Sequence, residues 1–185
     1  MPHVVDRLLA ALGLLVLSPV LLAAAIWIKL DSRGPVVYRQ LRVGKDGSTF
    51  EMLKLRTMKE GSDPVGVGTV VGQGDPRVTR PGELMRRTSI DEIPNLVNVL
   101  RGEMAIVGPR PIVEAEVPLY GDVFRLYQTV KPGITGLWQA SGRTNLNYAD
   151  RVLLDQFYIR HWSPWLDVYI LAKTVVALVN REGAY

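Results

Sequence analysis

Cysteine is absent from the 185 residues, and histidine occurs only as His3 and His161. The first absence excludes disulfides and thiolate metal sites, and the second leaves no His-ligated metal centre to build. Any metal used here is held by oxygen. Internal repeats and low-complexity tracts are missing too, and the length is too short for two ordinary domains. Acidic residues are the minority charge, 18 against 22 basic, for a net charge of +4. That balance favours an anionic partner, whether a phospholipid surface, a phosphate substrate or nucleic acid. Nucleic acid is not expected, because the chain carries no recognition motif and no aromatic stacking platform. What is present is a 48% hydrophobic fraction beside 22% charged residues, the mark of a soluble domain carrying a localised apolar element.

That element is residues 8–28, 21 positions without a charge, flanked by Arg7 on one side and Lys29 and Arg33 on the other. Trp27, Ile28 and Leu30 make a poor signal-peptidase junction, so the stretch reads as an anchor rather than a cleaved leader. A straight helix of that length is about 31 Å, enough to span the hydrocarbon core. Ser18-Pro19 falls at its middle, where proline removes an N–H and clashes with the carbonyl of Leu15. A bend there gives two halves of about 15 Å, long enough to enter one leaflet and return. The re-entrant form keeps both basic flanks on the cytoplasmic side. From the residues alone, a kinked spanning helix fits equally well.

Residues 36–43 and 48–58 read as strands of a β-hairpin, joined by Gly44-Lys45-Asp46-Gly47. Period two puts Phe50, Met52, Lys54 and Arg56 on one face, with the two cations roughly 7 Å apart, a spacing that suits a diphosphate or a solvated strand edge. Residues 60–74 read as a loop whose glycines do not fit a dinucleotide fingerprint. Turns follow at Asp75-Pro76-Arg77 and Arg80-Pro81-Gly82, then a short helix over 83–87. Ser89-Ile90-Asp91-Glu92 fits a capping box opening a helix that stops at Gly102. Asp91 and Glu92 would then complement the helix dipole, beside Arg86 and Arg87. Arg110, stiffened between Pro109 and Pro111, suits bidentate phosphate contact or a structural part in a tight loop. Helices are expected over 148–161 and 165–179. Trp138, Tyr158, Trp162, Trp165 and Tyr169 either pack in the core or lie at the headgroup level with Arg160, His161 and Lys173.

In this order, Lys54-Leu55-Arg56-Thr57-Met58, Arg86-Arg87-Thr88-Ser89-Ile90-Asp91-Glu92-Ile93-Pro94-Asn95-Leu96, Asn98-Val99-Leu100 and Val107-Gly108-Pro109-Arg110-Pro111 resemble the monotopic phosphoglycosyl transferases among the bacterial sugar transferases. Lys131-Pro132-Gly133-Ile134-Thr135-Gly136-Leu137-Trp138-Gln139, Ser141-Gly142-Arg143 and Trp162-Ser163 look like the branch that primes exopolysaccharide, capsule or O-antigen synthesis with a hexose phosphate. The resemblance covers nearly the whole chain. Two departures, Lys-Leu-Arg-Thr-Met for the more usual Lys-Phe-Arg-Ser-Met and the Gly-rich loop before Asp75, change no charged group. The resemblance implies a re-entrant helix broken at Ser18 and Pro19, and Asp91-Glu92 as the catalytic dyad.

The expected fold is α+β and mostly helical, with residues 1–33 as the anchor and 34–185 as a membrane-associated catalytic domain. The expected reaction moves a hexose-1-phosphate from a UDP-sugar, UDP-glucose or UDP-galactose by resemblance, to undecaprenyl phosphate. Asp91 would attack the β-phosphorus and release UMP, leaving a sugar-phosphoryl aspartate for the lipid phosphate to attack. Lys54, Arg56, Arg86, Arg110 and Arg143 are the expected phosphate ligands, and Mg²⁺ would be held by Asp91 and Glu92. The expected place is the inner membrane of a bacterium, with the catalytic domain on its cytoplasmic face. The copy number stays open, a homodimer included. The competing class is a non-enzymatic lipid-binding membrane scaffold.

Overall fold

The computed structural model describes residues 3–62, 74–141 and 147–180. Its first element, α1 (His3–Asp31), is apolar along most of its length and carries Pro19 inside it. Ser18 Oγ donates to the carbonyl of Leu15 at 2.8 Å, the carbonyl that the proline four residues on leaves without its helical N–H. Leu8, Leu12, Leu15, Val16, Leu22 and Ile26 are exposed, while Ala10, Ala24 and Ile28 are buried. The buried positions form one stripe against the rest of the protein. Ala10 packs on Phe50, Met52, Val99 and Met104, and Ala24 and Ile28 pack on Leu55 and Met85. Both halves of α1 therefore rest on the same body. Among the described residues, α1 is the one helix long and apolar enough to cross a membrane.

The expected hairpin is present as β1 (Val37–Val43) and β2 (Thr49–Leu55), paired antiparallel from Val37 opposite Leu55 to Val43 opposite Thr49. Its turn takes Asp46 to φ 58° and Gly47 to φ 72°, the paired positive values that Asp-Gly tolerates. Phe50 and Met52 go into the core, as period two requires. Residue 56 lies beyond the strand. The Arg56 guanidinium donates to the carbonyls of Ser32 and Arg33 and to Ser32 Oγ, pinning the end of α1 to the hairpin.

α2 (Arg80–Thr88) is longer than expected, because Thr79 Oγ1 caps it by accepting from the Gly82 N–H and Pro81 occupies its first turn. What read as a turn is a helix start. The capping box expected at Ser89 does not form. Ser89 is left-handed at φ 55° and closes α2, its N–H returning to Arg86 and Met85. A 3-10 turn over Ile90–Glu92 follows, and α3 (Asn95–Arg101) starts only after Pro94.

Two strands of three residues, β3 (Ala105–Val107) and β4 (Gly133–Thr135), form a parallel pair absent from the sequence reading. A Cβ on Gly133 would stand 2.1 Å from Gly108 N, and one on Gly108 would stand 2.6 Å from Lys131 O. The two backbones touch where side chains would keep them apart. Short helices α4 (Val117–Tyr120), α5 (Val123–Tyr127) and α6 (Leu137–Ala140) lead to α7 (Tyr148–Arg160), capped by Asn147, and to α8 (Pro164–Asn180). Trp138 and Tyr158 are buried, so these two of the five aromatic residues belong to the core and not to a membrane face. Trp162, Trp165 and Tyr169 remain exposed. The architecture is α+β and mostly helical, with two small sheets.

Candidate active site

The site forms where the 3-10 turn between α2 and α3 meets β2 and the loop after β3. Asn98, fully buried on α3, sets the register of that meeting. Its Oδ1 accepts from Leu53 N–H at 3.1 Å, and its Nδ2 donates to Glu51 O and Glu103 Oε2, both at 2.7 Å. With β2 held this way, Lys54 Nζ reaches Glu92 Oε1 at 2.7 Å, in an ion pair with both side chains about four-fifths covered. Asp91, next in the turn, is 8% exposed. Burial pushes its carboxyl up to about 6, against the downward pull of Lys54, with Glu92 raising it further and Arg86 lowering it. Asp91 stands in a single 3-10 turn, so burial, and not a helix dipole, dominates its titration.

Arg86 is fixed by its Nε, which donates to Thr57 Oγ1 at 2.8 Å, leaving its charge between Asp91 and Asp75. Arg87 is exposed. Arg110 sits over the ring of Trp138 at 5.6 Å. Its loop is held by Arg42, which donates to the carbonyl of Pro111 at 2.8 Å and to Gln40 Oε1 at 2.6 Å and lies 3.7 Å from Glu116. Lys54, Glu92, Asn95, Arg110 and Gln139 share one small open cleft with the apolar floor of Met52 and Met104. Of the cations expected to hold phosphate, Lys54 and Arg110 thus line the cleft and Arg86 flanks Asp91. Arg56 is committed to the end of α1, and Arg143 lies outside the described residues.

Several contributors escaped the sequence reading. Asn95 and Asn98 stand three apart among apolar positions of α3, and polar residues on a buried stripe were the available signal. Asn95 is 2% exposed, and its Oδ1 finds no hydrogen-bond donor among the described residues. Arg151 lies over Trp138 at 4.9 Å, so one buried ring carries two guanidinium groups. Nothing in its local sequence marks it. Among the described residues no three His, Cys, Asp or Glu side chains cluster to hold a metal. Asp91 and Glu92 still suit Mg²⁺, which commonly takes one or two carboxylates and completes its octahedron with water and substrate phosphate.

Cations beside a buried carboxyl and a cleft, next to a helix long and apolar enough to cross a membrane, suit phosphate chemistry. The family described as "Bacterial sugar transferase" matches residues 1–181, and the chain belongs to that family. It is 42% identical to the exopolysaccharide production protein ExoY of Sinorhizobium fredii, over 97% of this chain and 86% of that one. It is 43% identical to the UDP-glucose:undecaprenyl-phosphate glucose-1-phosphate transferase of Escherichia coli, over 97% of this chain and 40% of that one. Identity to the undecaprenyl-phosphate galactose phosphotransferase of Salmonella typhimurium is 38%, again over 97% and 40%. The chain thus spans most of ExoY and about two fifths of the other two.

Proposed function

We propose that this sugar transferase moves a hexose-1-phosphate from UDP-glucose or UDP-galactose to undecaprenyl phosphate, the first membrane step in making an exopolysaccharide, capsule or O-antigen. The observation that carries the reading is Asp91, almost buried, with Lys54 and Arg86 acting on its charge and Arg110 lining the adjoining cleft. The names of the relatives supply the donor and the acceptor.

In the first step an Asp91 oxygen bonds to the β-phosphorus, the bond to the bridging oxygen breaks, and UMP leaves with that oxygen. In the second, an oxygen of the lipid phosphate bonds to the same phosphorus, the aspartyl bond breaks, and the carboxylate returns. Lys54, Arg86 and Arg110 neutralise charge on the phosphoryl oxygens, a contribution that grows in a poorly solvated cleft. Lys54 also orients Glu92 through their ion pair. Mg²⁺, held by Asp91 and Glu92 with substrate phosphate, would supply further charge neutralisation.

A donor from water and an acceptor from lipid must meet at one carboxylate. The reading places that carboxylate at the cytoplasmic face of the inner membrane, with α1 entering one leaflet and returning. α1 stays helical through Ser18 and Pro19 and is not broken there as expected, and what supports the reading is that both halves pack on the same body while the turns around Ser18 and Pro19 stay exposed. The test is UMP release from a panel of UDP-sugars, with and without polyprenyl phosphate and Mg²⁺, comparing the parent with Asp91→Asn. Lipid-dependent UMP release lost in the variant names the sugar and establishes the transferase. UMP formed equally by Asp91→Asn would sink the nucleophile assignment.

A further inference from the structure

The cleft explains how phosphate from the aqueous side is met, and leaves open where phosphate from the lipid side is first held. At the opposite end of α3 from Asp91, Gly102 closes the helix in the left-handed region at φ 82°. Two cations converge on it. A Cβ built on Gly102 would stand 2.7 Å from Arg7 Nη2 and 3.5 Å from Lys131 Nζ, so the two charged heads approach one point from different elements. Arg7 comes from the first turns of α1 and Lys131 from the segment leading into β4.

Like charges brought together this way repel unless something anionic joins them. Lys131 registers the conflict, its ammonium held below its ordinary value by burial first, then by Arg7 and Lys45, with Asp6 partly offsetting them. Among the described residues neither Arg7 nor Lys131 donates a side-chain hydrogen bond or stands in an ion pair. Helix-end cations usually bond the last carbonyls. Here the Gly102 N–H already serves those of Asn98 and Val99.

Position gives the pair its meaning. Arg7 immediately precedes the apolar stretch of α1, at whose start Leu8 and Leu12 are exposed. A cation at that boundary lies at headgroup depth. The pair is also close to the cleft along the chain, since Gly133, two residues from Lys131, and Met104, two residues from Gly102, both line it. We propose that Arg7 and Lys131 form a seat for a lipid-borne phosphate over Gly102, beside the start of α1. This rests on the transfer reading for its role in turnover, though not for binding itself. The shared chemistry is a phosphate on a lipid, either the polyprenyl phosphate acceptor or the headgroup of an anionic phospholipid.

The experiment uses the full chain in phosphatidylcholine bilayers, comparing the parent with Arg7→Gln, Lys131→Gln, the double variant and, as a surface-charge control, Arg101→Gln at the same helix end. The expected result is a rise of about fivefold in the KM for undecaprenyl phosphate per cation removed, with the KM for the UDP-sugar unchanged and Arg101→Gln like the parent. A second arm measures flotation with vesicles of phosphatidylcholine with and without phosphatidylglycerol. Loss of the phosphatidylglycerol-dependent part alone, with the acceptor KM unchanged, assigns the seat to phospholipid. If both readouts stay at the parent's level, or if Arg101→Gln matches the other two, the seat does not exist. A parent that turns over no UDP-sugar defeats the transfer reading instead, and the flotation arm still tests the seat.

Discussion

Asp91 and Asp155 are both raised by burial, and they lie in regions built for opposite purposes. Asp155, on α7, is fully buried, and its Oδ2 accepts from the Tyr120 hydroxyl at 2.8 Å. Burial pushes it up to about 7, with the Tyr120 bond and the charge of Arg110 pulling it back. Asp91 keeps a small opening to solvent, lies in a turn between helices, and answers to Lys54 and Arg86 as well as to burial. Depth alone thus does not make a site. Asp91 combines near-burial with cations and a cleft, whereas Asp155 combines complete burial with a tyrosine and a packed core of Tyr120, Tyr127 and Val152. The first arrangement favours an attacking oxygen, and the second favours a protonated, structural hydrogen bond.

Replacement of each carboxyl separates the two regions most strongly. Asp91→Asn should lower UMP release by about a thousandfold or more while leaving the melting temperature near the parent's, because an amide fits the same turn without the nucleophilic oxygen. Lys54→Met should follow with a loss of about a hundredfold, since it removes one cation and strands Glu92. Asp155→Ala should instead act on stability, leaving the Tyr120 hydroxyl buried without its acceptor at a cost of about 2 kcal/mol. Thermal unfolding should show a drop of roughly 5 °C. If Asp155→Ala abolishes turnover at full stability, the assignment of that region to structure is wrong.

The two regions also differed in how they could be read from residues. The hairpin was legible, because Asp46-Gly47 is local turn chemistry and Phe50 and Met52 alternate into a core. Asp91 and Glu92 stood out in the sequence and lie beside Lys54 and Arg86, but the capping box expected to place them does not form. Ser-x-x-Glu is a local signature of a helix start, yet Ser89 is taken by the C-terminus of α2, which itself began earlier on Thr79 and Pro81. The β3–β4 pair was hidden because each strand has three residues and its glycines signal turns equally well. Asp155 and Arg151 gave no signal, since what matters at each is a partner far away in sequence, Tyr120 in one case and Trp138 in the other.

The subtlest test of the comparison is its pH dependence. Asp91 must be ionised to attack, so the rate should rise with pH through about 6 and level above it. Stability should run the other way for both carboxyls. A carboxyl raised on folding stabilises fully below its unfolded value, and that contribution is lost as pH rises through the folded value. For Asp155 the window runs from the ordinary 3.8 to about 7. Asp155→Asn removes the titration without removing the side chain, so its melting temperature should decline less than the parent's between pH 4 and pH 7, while its rate keeps the parent's dependence on pH. Asp91→Asn should flatten only the lower part of the same decline. Unchanged slopes in both variants would mean that neither carboxyl is desolvated in solution, and the contrast between a poised and a structural carboxyl would fall with it.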